Sequence, residues 1–184
     1  MEVARGLLGN VLVHGAAAGF IVETEAYLGA GDLAAHSARG LTGRTRVIFG
    51  PPGHAYVYLI YGMYECLNLV AEPDGSPGCV LIRALQPVRG VELMRARRGS
   101  SCKLQHLANG PGKLTRALGI TRAHNGADVT RGPLVVRQAP CMGDFEIAVT
   151  PRIGIAQSAE LPLRFVLVGQ TIAFCRLSGC PTCF

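Results

Sequence analysis

Two glutamates and a tyrosine alternate along one apolar segment near the start of the chain. Residues 21–28 read Ile-Val-Glu-Thr-Glu-Ala-Tyr-Leu, which places Glu23, Glu25 and Tyr27 at every second position. Because alternate residues of a β-strand share a face, a strand here would line one surface with two carboxylates and a phenol. A carboxylate beside an apolar wall is a candidate general base. The spacing also fits an edge strand whose glutamates face water, and it does not say which glutamate would act.

A second segment concentrates aromatic side chains at a predicted turn. Four of the five tyrosines fall within residues 56–64, in a pattern that predicts two β-strands joined by a tight turn. A stable monomer seldom places so much ring surface at a turn unless the rings meet a partner. Nucleic-acid bases are the partner that best rewards exposed rings beside basic charge.

The charge of the chain is consistent with such a partner. The 184 residues carry a formal net charge of +6, and nine cations between residues 83 and 122 face one acidic residue, Glu92. A run of this kind can be a solvated helix face, but its strength favours a surface that meets phosphates. The cations are Arg83, Arg89, Arg95, Arg97, Arg98, Lys103, Lys113, Arg116 and Arg122.

One segment within this basic region superficially resembles a phosphate-binding loop. Residues 110–114 read Gly-Pro-Gly-Lys-Leu, but Leu107 stands where a P-loop needs glycine, and Leu114 stands where it needs Ser or Thr. The segment still predicts the start of a helix, whose free amides and Lys113 could meet a phosphate. A plain helix cap explains it equally well.

The cysteines and histidines do not predict a metal site. Cys66 and Cys79 lie in apolar runs and are expected in the core. Cys175, Cys180 and Cys183 crowd the C-terminus, where a lone CxxC lacks the second ligand pair that zinc requires. We therefore expect reduced thiols, no metal and no cofactor. His36 stands alone in a long loop, where a surface or hydrogen-bonded histidine is the commoner case.

The N-terminal region contains an uncharged stretch, residues 6–22, that superficially suggests a signal peptide. It is too short and too rich in glycine for a membrane span, and Glu2 occupies the position where a signal peptide carries positive charge. We expect an intracellular protein of a nucleus or a bacterial cytoplasm, without a membrane span and not secreted.

The elements that must position these residues indicate an α+β fold. We predict one domain over residues 1–184, with a mostly antiparallel β-sheet, flanking helices and a protruding tyrosine-bearing β-hairpin. The predicted helices cover residues 1–8, 88–98 after Pro87, and 111–118, with a helical piece at 33–37 inside a loop that spans 28–53. The predicted strands cover residues 10–14, 19–27, 79–85, 133–138, 145–150 and 163–168, and the hairpin covers 55–71.

Taken in order along the chain, ten segments resemble the alkyladenine (3-methyladenine) DNA glycosylase family. The most specific are Glu-Thr-Glu-Ala-Tyr at 23–27 and Tyr-Val-Tyr-Leu-Ile-Tyr-Gly-Met at 56–63. The matching segments are 4–9, 21–29, 34–37, 52–53, 56–64, 66–68, 80–85, 110–114, 152–154 and 162–165. They extend over nearly the whole sequence.

The resemblance implies an enzyme that flips a damaged purine out of double-stranded DNA and hydrolyses its bond to the sugar. Glu25 matches the general base that activates a water, and Arg83 and the carbonyl of Ile153 match groups that hold that water. Tyr61 matches the side chain that fills the gap in the helix. Tyr27, His36 and Tyr58 match the walls that stack on the extruded base. Asn68 matches a residue beside the pocket that helps to reject guanine by clashing with its exocyclic amine.

Further matches and departures concern the DNA backbone. Met63, Gly110, Gly112 and Lys113 match positions expected to contact it. An Arg-Asn pair common in the family is here Arg44-Thr45, and a family methionine is Ile48, so loop contacts to DNA are less well defined by the resemblance. The family is monofunctional, which implies no lyase activity, and we expect a monomer.

Two other functions remain open from the sequence. The tyrosine hairpin could serve a non-catalytic protein that binds nucleic acid, which would need no carboxylate. The pocket could also belong to an enzyme that modifies RNA or processes nucleosides.

Overall fold

All eight strands within the described part of the chain pair antiparallel in one sheet. The computed structural model describes residues 1–29, 31–139 and 145–169. The strands are β1 (Val11–His14), β2 (Ala17–Leu28), β3 (Ala55–Ile60), β4 (Tyr64–Val70), β5 (Gly78–Arg89), β6 (Leu134–Arg137), β7 (Glu146–Thr150) and β8 (Arg164–Val168).

Strand β2 lies at the centre of this sheet. The hydrogen-bonded order is β3-β4-β5-β2-β1-β6, and β8 also pairs with β2 and carries β7 on its other side. One edge of β2 runs along β5, while the opposite edge pairs with β1 at residues 17–20 and with β8 at residues 23–25. The half of β2 that carries Glu23 and Glu25 is therefore held between two strands.

Two irregularities interrupt the pairing of β2 with β5 beside the glutamates. Ile21 pairs with Leu85 and Glu23 with Ala84, which leaves Val22 without an opposite residue; Thr24 then pairs with Ile82, which leaves out Arg83. Such β-bulges bend a strand and redirect side chains, and they are common next to active sites. Arg83 thus leaves the regular alternation of β5 at the level of Glu23.

Three α-helices and four short 3-10 turns complete the described structure. The helices are α1 (Glu2–Gly6), α2 (Val91–Arg98) and α3 (Pro111–Leu118), and the 3-10 turns are His36–Arg39, Arg46–Phe49, Leu104–His106 and Arg122–His124. Helix α3 begins at Pro111, which has no N–H to leave unpaired. It ends at Gly119, whose φ of 75° fits the left-handed cap that glycine favours.

The helices cover one face of the sheet and share its main core. Buried side chains from α1, α2 and α3 meet apolar residues of the central strands, among them Leu12, Ile21, Ile82, Met94, Leu114 and Phe165. Each such side chain contributes about 1.5–3 kcal/mol when it is removed from water. A hydrogen bond of 2.9 Å from the Thr115 hydroxyl to the Glu65 carbonyl then ties α3 to the hairpin.

The α+β class, the antiparallel sheet, the tyrosine hairpin and helix α3 confirm the predictions from sequence. Two local predictions were wrong. Pro87 does not open a helix but remains in β5 opposite Gly19, next to a register shift where a missing N–H is tolerated. The four residues left between the predicted strands 10–14 and 19–27 form only a turn at Gly15 and Ala16, because β2 already starts at Ala17.

The remaining local predictions concern the long loop, the termini and the membrane. The helical piece predicted at 33–37 is the 3-10 turn His36–Arg39, and a second turn follows at Arg46–Phe49. Cys175, Cys180 and Cys183 lie outside the described residues. Within the described residues, every helix is too short or too polar to cross a bilayer.

We predict that Gly90→Ala destabilises the fold more than Gly15→Ala. Both glycines have positive φ, 71° and 57°, so either alanine carries a strain of roughly 1 kcal/mol. A Cβ at Gly90 would also lie 2.5 Å from the Ala16 carbonyl oxygen, whereas a Cβ at Gly15 meets nothing within 4 Å. Overpacking should add about 1–3 kcal/mol for Gly90→Ala. Equilibrium urea unfolding measures both, and equal losses would contradict the close approach.

Candidate active site

The carboxylate of Glu25 is completely buried and receives hydrogen bonds on both oxygens. Its Oε1 accepts a hydrogen bond of 2.9 Å from the Ile153 backbone N–H, and its Oε2 accepts one of 3.0 Å from the Tyr27 hydroxyl. The Arg83 guanidinium lies 3.3 Å from Oε1. These two hydrogen bonds and the ion pair fix the orientation of the carboxylate. The alternative that Glu25 simply faces water is thereby ruled out.

Glu23 lies on the same side and holds Arg83 from the other direction. Its Oε1 accepts hydrogen bonds from the Nε atoms of Arg83 at 2.8 Å and Arg164 at 2.6 Å. Burial disfavours the charged form of Arg83, but the carboxylates of Glu25 and Glu23 outweigh it and raise the pKa of the guanidinium. Arg83 therefore stays a cation between two glutamates.

A cavity of about 640 Å³ opens beside this cluster. Three residues that contact the Glu25 side chain, namely Tyr27, Arg83 and Ile153, also line the cavity. Glu25 itself has no exposed surface and lies directly behind this wall.

Aromatic rings form one side of the cavity. The His36 and Tyr58 rings meet edge to face, with centroids 4.5 Å apart, and the Tyr56 hydroxyl lies 3.0 Å from His36 Nδ1. Partial burial, with the nearby Arg44 cation, lowers the pKa of His36 below its usual value, so the imidazole is neutral at neutral pH. Burial also raises the pKa of Tyr58, and it raises that of Tyr27 together with Glu25, so both phenols stay protonated.

Asn68 and two cysteines, Cys66 and Cys79, also line the cavity. The buried Asn68 amide donates a hydrogen bond of 3.2 Å to the Tyr56 carbonyl, and its oxygen lies 3.8 Å from the Cys79 sulfur. Cys66 and Cys79 are buried core residues, as predicted. The Asn68 side chain is thus fixed in the orientation that it presents to the cavity.

The hairpin tip projects Tyr61 and Met63 beside the cavity mouth. Tyr61 is 77% exposed and adopts a φ of 53°, which is uncommon for a residue with a side chain. The following Gly62 also has positive φ, and the Met63 N–H closes the turn on the Ile60 carbonyl. A hairpin turn of this kind favours positive φ at both central positions, so the turn geometry holds the Tyr61 ring outward.

The start of helix α3 packs against the hairpin beside the same cavity. Gly110, Gly112 and Lys113 all line the cavity. A Cβ at Gly112 would lie 2.9 Å from the Tyr64 Cβ, so only glycine lets the helix approach the hairpin this closely. Lys113 Nζ donates a hydrogen bond of 2.9 Å to the Asn109 side chain. The structure therefore brings Gly110, Gly112 and Lys113 to the same opening as Tyr61.

The basic run of residues 83–122 has a more structural role than the sequence predicted. Arg97, Arg98 and Arg116 each donate to a backbone carbonyl, and these bonds tie α2 to α3 and to the segment before α3. Carbonyls at helix ends need such partners, and cations suit the negative end of the helix dipole. Within the described residues, the members of the run that line the cavity are Arg83, Arg98 and Lys113.

The sequence predictions missed a buried ion pair. Asp32 and Arg152 have fully buried side chains and lie beside Tyr27. Arg152 falls in a segment that carries the family resemblance, but Asp32 had no signal of its own.

No cluster of three or more histidine, cysteine or acidic side chains suited to a metal occurs within the described residues.

Comparison with known proteins gives this geometry its context. The family model of methylpurine-DNA glycosylase matches residues 1–171. The chain belongs to this family. It is 54% identical over 176 residues to a protein of Methanoculleus marisnigri, an alignment that covers 92% of this chain and 91% of the relative. It is 53% identical over 169 residues to one of Methanocella arvoryzae, covering 89% and 84%. Both relatives are provisionally named 3-methyladenine DNA glycosylases.

A third relative, from Koribacter versatilis, bears the same provisional name and is 51% identical over 175 residues, which cover 91% of this chain and 84% of the relative. Family membership makes this chain a DNA-repair glycosylase, which binds DNA and hydrolyses N-glycosyl bonds.

We predict that the His36 imidazole titrates well below the ordinary histidine pKa of about 6.5, near pH 4. Because the unfolded chain binds this proton more readily, the contribution of His36 to stability is full above pH 6.5 and is lost as the pH falls towards 4. Arg44→Gln should raise the midpoint, since it removes the neighbouring cation. Proton NMR of the imidazole measures both; a midpoint near 6.5 in the unmodified protein would refute the prediction.

Proposed function

We propose that this glycosylase extrudes damaged purines from double-stranded DNA into the aromatic cavity and releases them with a water that Glu25 activates. The substrates we propose are 3-methyladenine and 7-methylguanine, and hypoxanthine or ethenoadenine as neutral candidates. The observation that carries the proposal is the position of the buried Glu25 carboxylate directly behind a cavity lined by Tyr27, His36 and Tyr58.

The cavity suits an alkylated purine. Methylation at N3 or N7 makes the base cationic, and a cation against an aromatic face gains about 0.5–2 kcal/mol. A neutral His36 adds no repulsion against such a base. Flipping a base out of the helix takes a few kcal/mol, and it takes least for damaged or weakly paired bases. The cavity and the lesion thus favour extrusion together.

The carboxylate is placed to support hydrolysis. As the bond between the base nitrogen and C1′ breaks, its electron pair leaves with the base, and the sugar becomes an oxocarbenium-like cation. A nearby carboxylate stabilises that cation. The oxygen of a water then bonds to C1′ while Glu25 accepts the water's proton. Carboxylate oxygens accept about four hydrogen bonds, and Glu25 accepts two here beside the Arg83 cation. The carboxylate therefore keeps acceptor capacity for a water that enters with the substrate.

The neighbouring residues complete the proposed roles. Arg83 and the Ile153 carbonyl help to hold the attacking water, since both residues line the cavity and contact Glu25 through other atoms. The Asn68 side chain, which lines the cavity, helps to reject guanine through its exocyclic amine. 7-Methylguanine keeps this amine, but its cationic ring makes it a better leaving group, so it is still released. In this proposal the same cavity both selects the base and positions the water that attacks the sugar.

The rim supplies the contacts to DNA. Tyr61 fills the gap that the extruded nucleotide leaves, and Met63 contacts the backbone beside it. Such a wedge offsets part of the unstacking energy. The amides at Gly110 and Gly112 and the charge of Lys113 meet a phosphate at the start of α3.

The proposed enzyme leaves an abasic site and does not cut the backbone. A lyase needs an amine that forms a Schiff base with the sugar. Among the described residues that line the cavity, the only side-chain amine belongs to Lys113, which is bonded to Asn109 at the rim. We also propose that the protein is a monomer and needs no cofactor. We propose an intracellular location because the substrate is DNA.

We predict that Glu25→Gln leaves binding to a lesion duplex within a few-fold but slows base release at least 100-fold. Glutamine keeps the shape and loses the charge and basicity, and general base catalysis contributes about 10²–10⁴-fold. Single-turnover assays on duplexes with hypoxanthine or 7-methylguanine, followed by alkali to cleave abasic sites, measure release. The control is Glu92→Gln, which changes an exposed carboxylate. Undiminished turnover by Glu25→Gln would remove Glu25 from its role.

We predict that Tyr61→Ser impairs extrusion while leaving the salt dependence of DNA binding nearly unchanged. The wedge is lost, but the phosphate contacts, which set the slope of affinity against salt, remain. Fluorescence of ethenoadenine in a duplex reports extrusion, and binding to undamaged duplex at several salt concentrations reports the slope. Full extrusion by the variant would argue against the wedge.

A further inference from the structure

We infer that Asp32 and Arg152 form a positioning pair that fixes Glu25 for catalysis by holding the two groups that hydrogen-bond it most closely. The inference rests on the proposed role of Glu25 as general base. Asp32 and Arg152 are absent from the cavity lining. Their action is therefore indirect, through Tyr27 and Ile153.

The pair itself is rigid and dry. Arg152 Nη1 lies 2.6 Å from Asp32 Oδ2, and Nη2 lies 2.8 Å from Oδ1, in the two-pronged geometry that fixes both side chains. Both side chains are fully buried. Burial opposes the charge of Arg152, but Asp32 outweighs it and raises the pKa of the guanidinium. Arg152 therefore stays charged, and the two hydrogen bonds hold the pair in one orientation.

The first connection to Glu25 runs through the Tyr27 ring. The Arg152 guanidinium lies over that ring, with its central carbon 4.6 Å from the ring centroid. The ring's hydroxyl donates the 3.0 Å hydrogen bond to Glu25 Oε2. The guanidinium therefore restrains the tilt of a ring that both lines the cavity and orients the carboxylate.

The second connection runs through the backbone. Ile153 follows Arg152 directly, and its N–H donates the 2.9 Å hydrogen bond to Glu25 Oε1. Arg152 is anchored by two further hydrogen bonds, to the carbonyls of Ala26 at 3.0 Å and Ser158 at 3.2 Å. Because the Arg152 side chain is anchored, the peptide group between Arg152 and Ile153 is held in place. The N–H of this group donates the hydrogen bond to Glu25.

Asp32 extends the restraint to the other wall of the cavity. Its carboxylate accepts hydrogen bonds from the backbone N–H groups of Leu28 at 3.0 Å and Ala34 at 3.2 Å. The latter lies two residues before His36. One buried pair therefore joins the segment of Ile153, the ring of Tyr27 and the segment that leads to His36.

Stability alone does not explain such a pair. Buried ion pairs often stabilise a fold no better than apolar side chains of similar size, because both charges must leave water. What an ion pair adds is directional geometry. A displacement of about 1 Å at a reacting group can reduce a rate about 100-fold. The pair would therefore affect the rate by keeping the Glu25 carboxylate in its position.

The test separates positioning from folding with Arg152→Met, Arg152→Lys and the double variant Asp32→Asn/Arg152→Met. The matched control is Arg131→Met, which removes an exposed ion pair with Asp128. Each variant is measured for thermal unfolding, for affinity to a hypoxanthine duplex and for single-turnover base release. Wild type and Glu25→Gln are measured in the same series.

We expect Arg152→Met to slow base release about 10- to 100-fold while affinity changes less than about 3-fold. Arg152→Met leaves the Asp32 charge buried and unpaired, so its melting temperature should fall. The double variant removes both charges and should recover part of that stability, yet it should remain slow. Arg152→Lys should recover part of the rate, and the exposed control should match wild type.

Two results would overturn the inference. One is an unchanged rate of base release in folded Arg152→Met. The other is recovery of rate in step with stability in the double variant, which would reduce the pair to a structural role. If Glu25→Gln also keeps its rate, or if wild type releases no base, the proposed function itself fails and the inference fails with it.

Discussion

A carboxylate with no contact to solvent must be surrounded by hydrogen-bond donors, and this requirement at Glu25 governs the rest of the site. Removing an ionised group from water is expensive unless partners replace the water. Here the partners come from three separate parts of the chain: Tyr27 on the same strand, Arg83 on the neighbouring strand and the Ile153 backbone far along the sequence. The sheet and the loops are arranged so that these donors converge.

The same convergence explains the form of the cavity. Strand β2 lies between β5 and β8, so the strand that carries Glu25 and Tyr27 cannot easily move. The bulge at Arg83 directs that side chain to both glutamates. The hairpin and α3 then close the outer side, where Gly112 permits the close approach to Tyr64. A rigid interior thus meets a rim on which the Tyr61 ring is exposed.

Much of this could be predicted from short-range patterns, and the rest could not. Alternation along β2 correctly placed Glu25 and Tyr27 on one face, because the side-chain period of a strand is local. Burial of Glu25 was not predictable, since it depends on residues more than a hundred positions away. The Asp32–Arg152 pair and the bulge at Arg83 depend on tertiary contacts in the same way.

The wrong prediction at Pro87 and the overestimated role of the basic run also result from tertiary contacts that local patterns do not show. Pro87 suggested a helix start by its own preference, but pairing with β2 overrode that preference. The basic run suggested a phosphate surface, yet several of its arginines serve helix ends that only the folded chain creates. The family resemblance supplied residue roles that spacing alone left open, such as the choice of Glu25 over Glu23.

We propose that a purine enters the aromatic cavity and that Glu25 directs water onto its sugar carbon. The most direct measurement is a crystal structure of Glu25→Gln bound to a hypoxanthine-containing duplex. We predict the base between Tyr27 and the His36–Tyr58 wall, with a water about 3 Å from the side chain at position 25 and facing C1′. A base that remains stacked in the helix, or a C1′ that lies away from position 25, would contradict it.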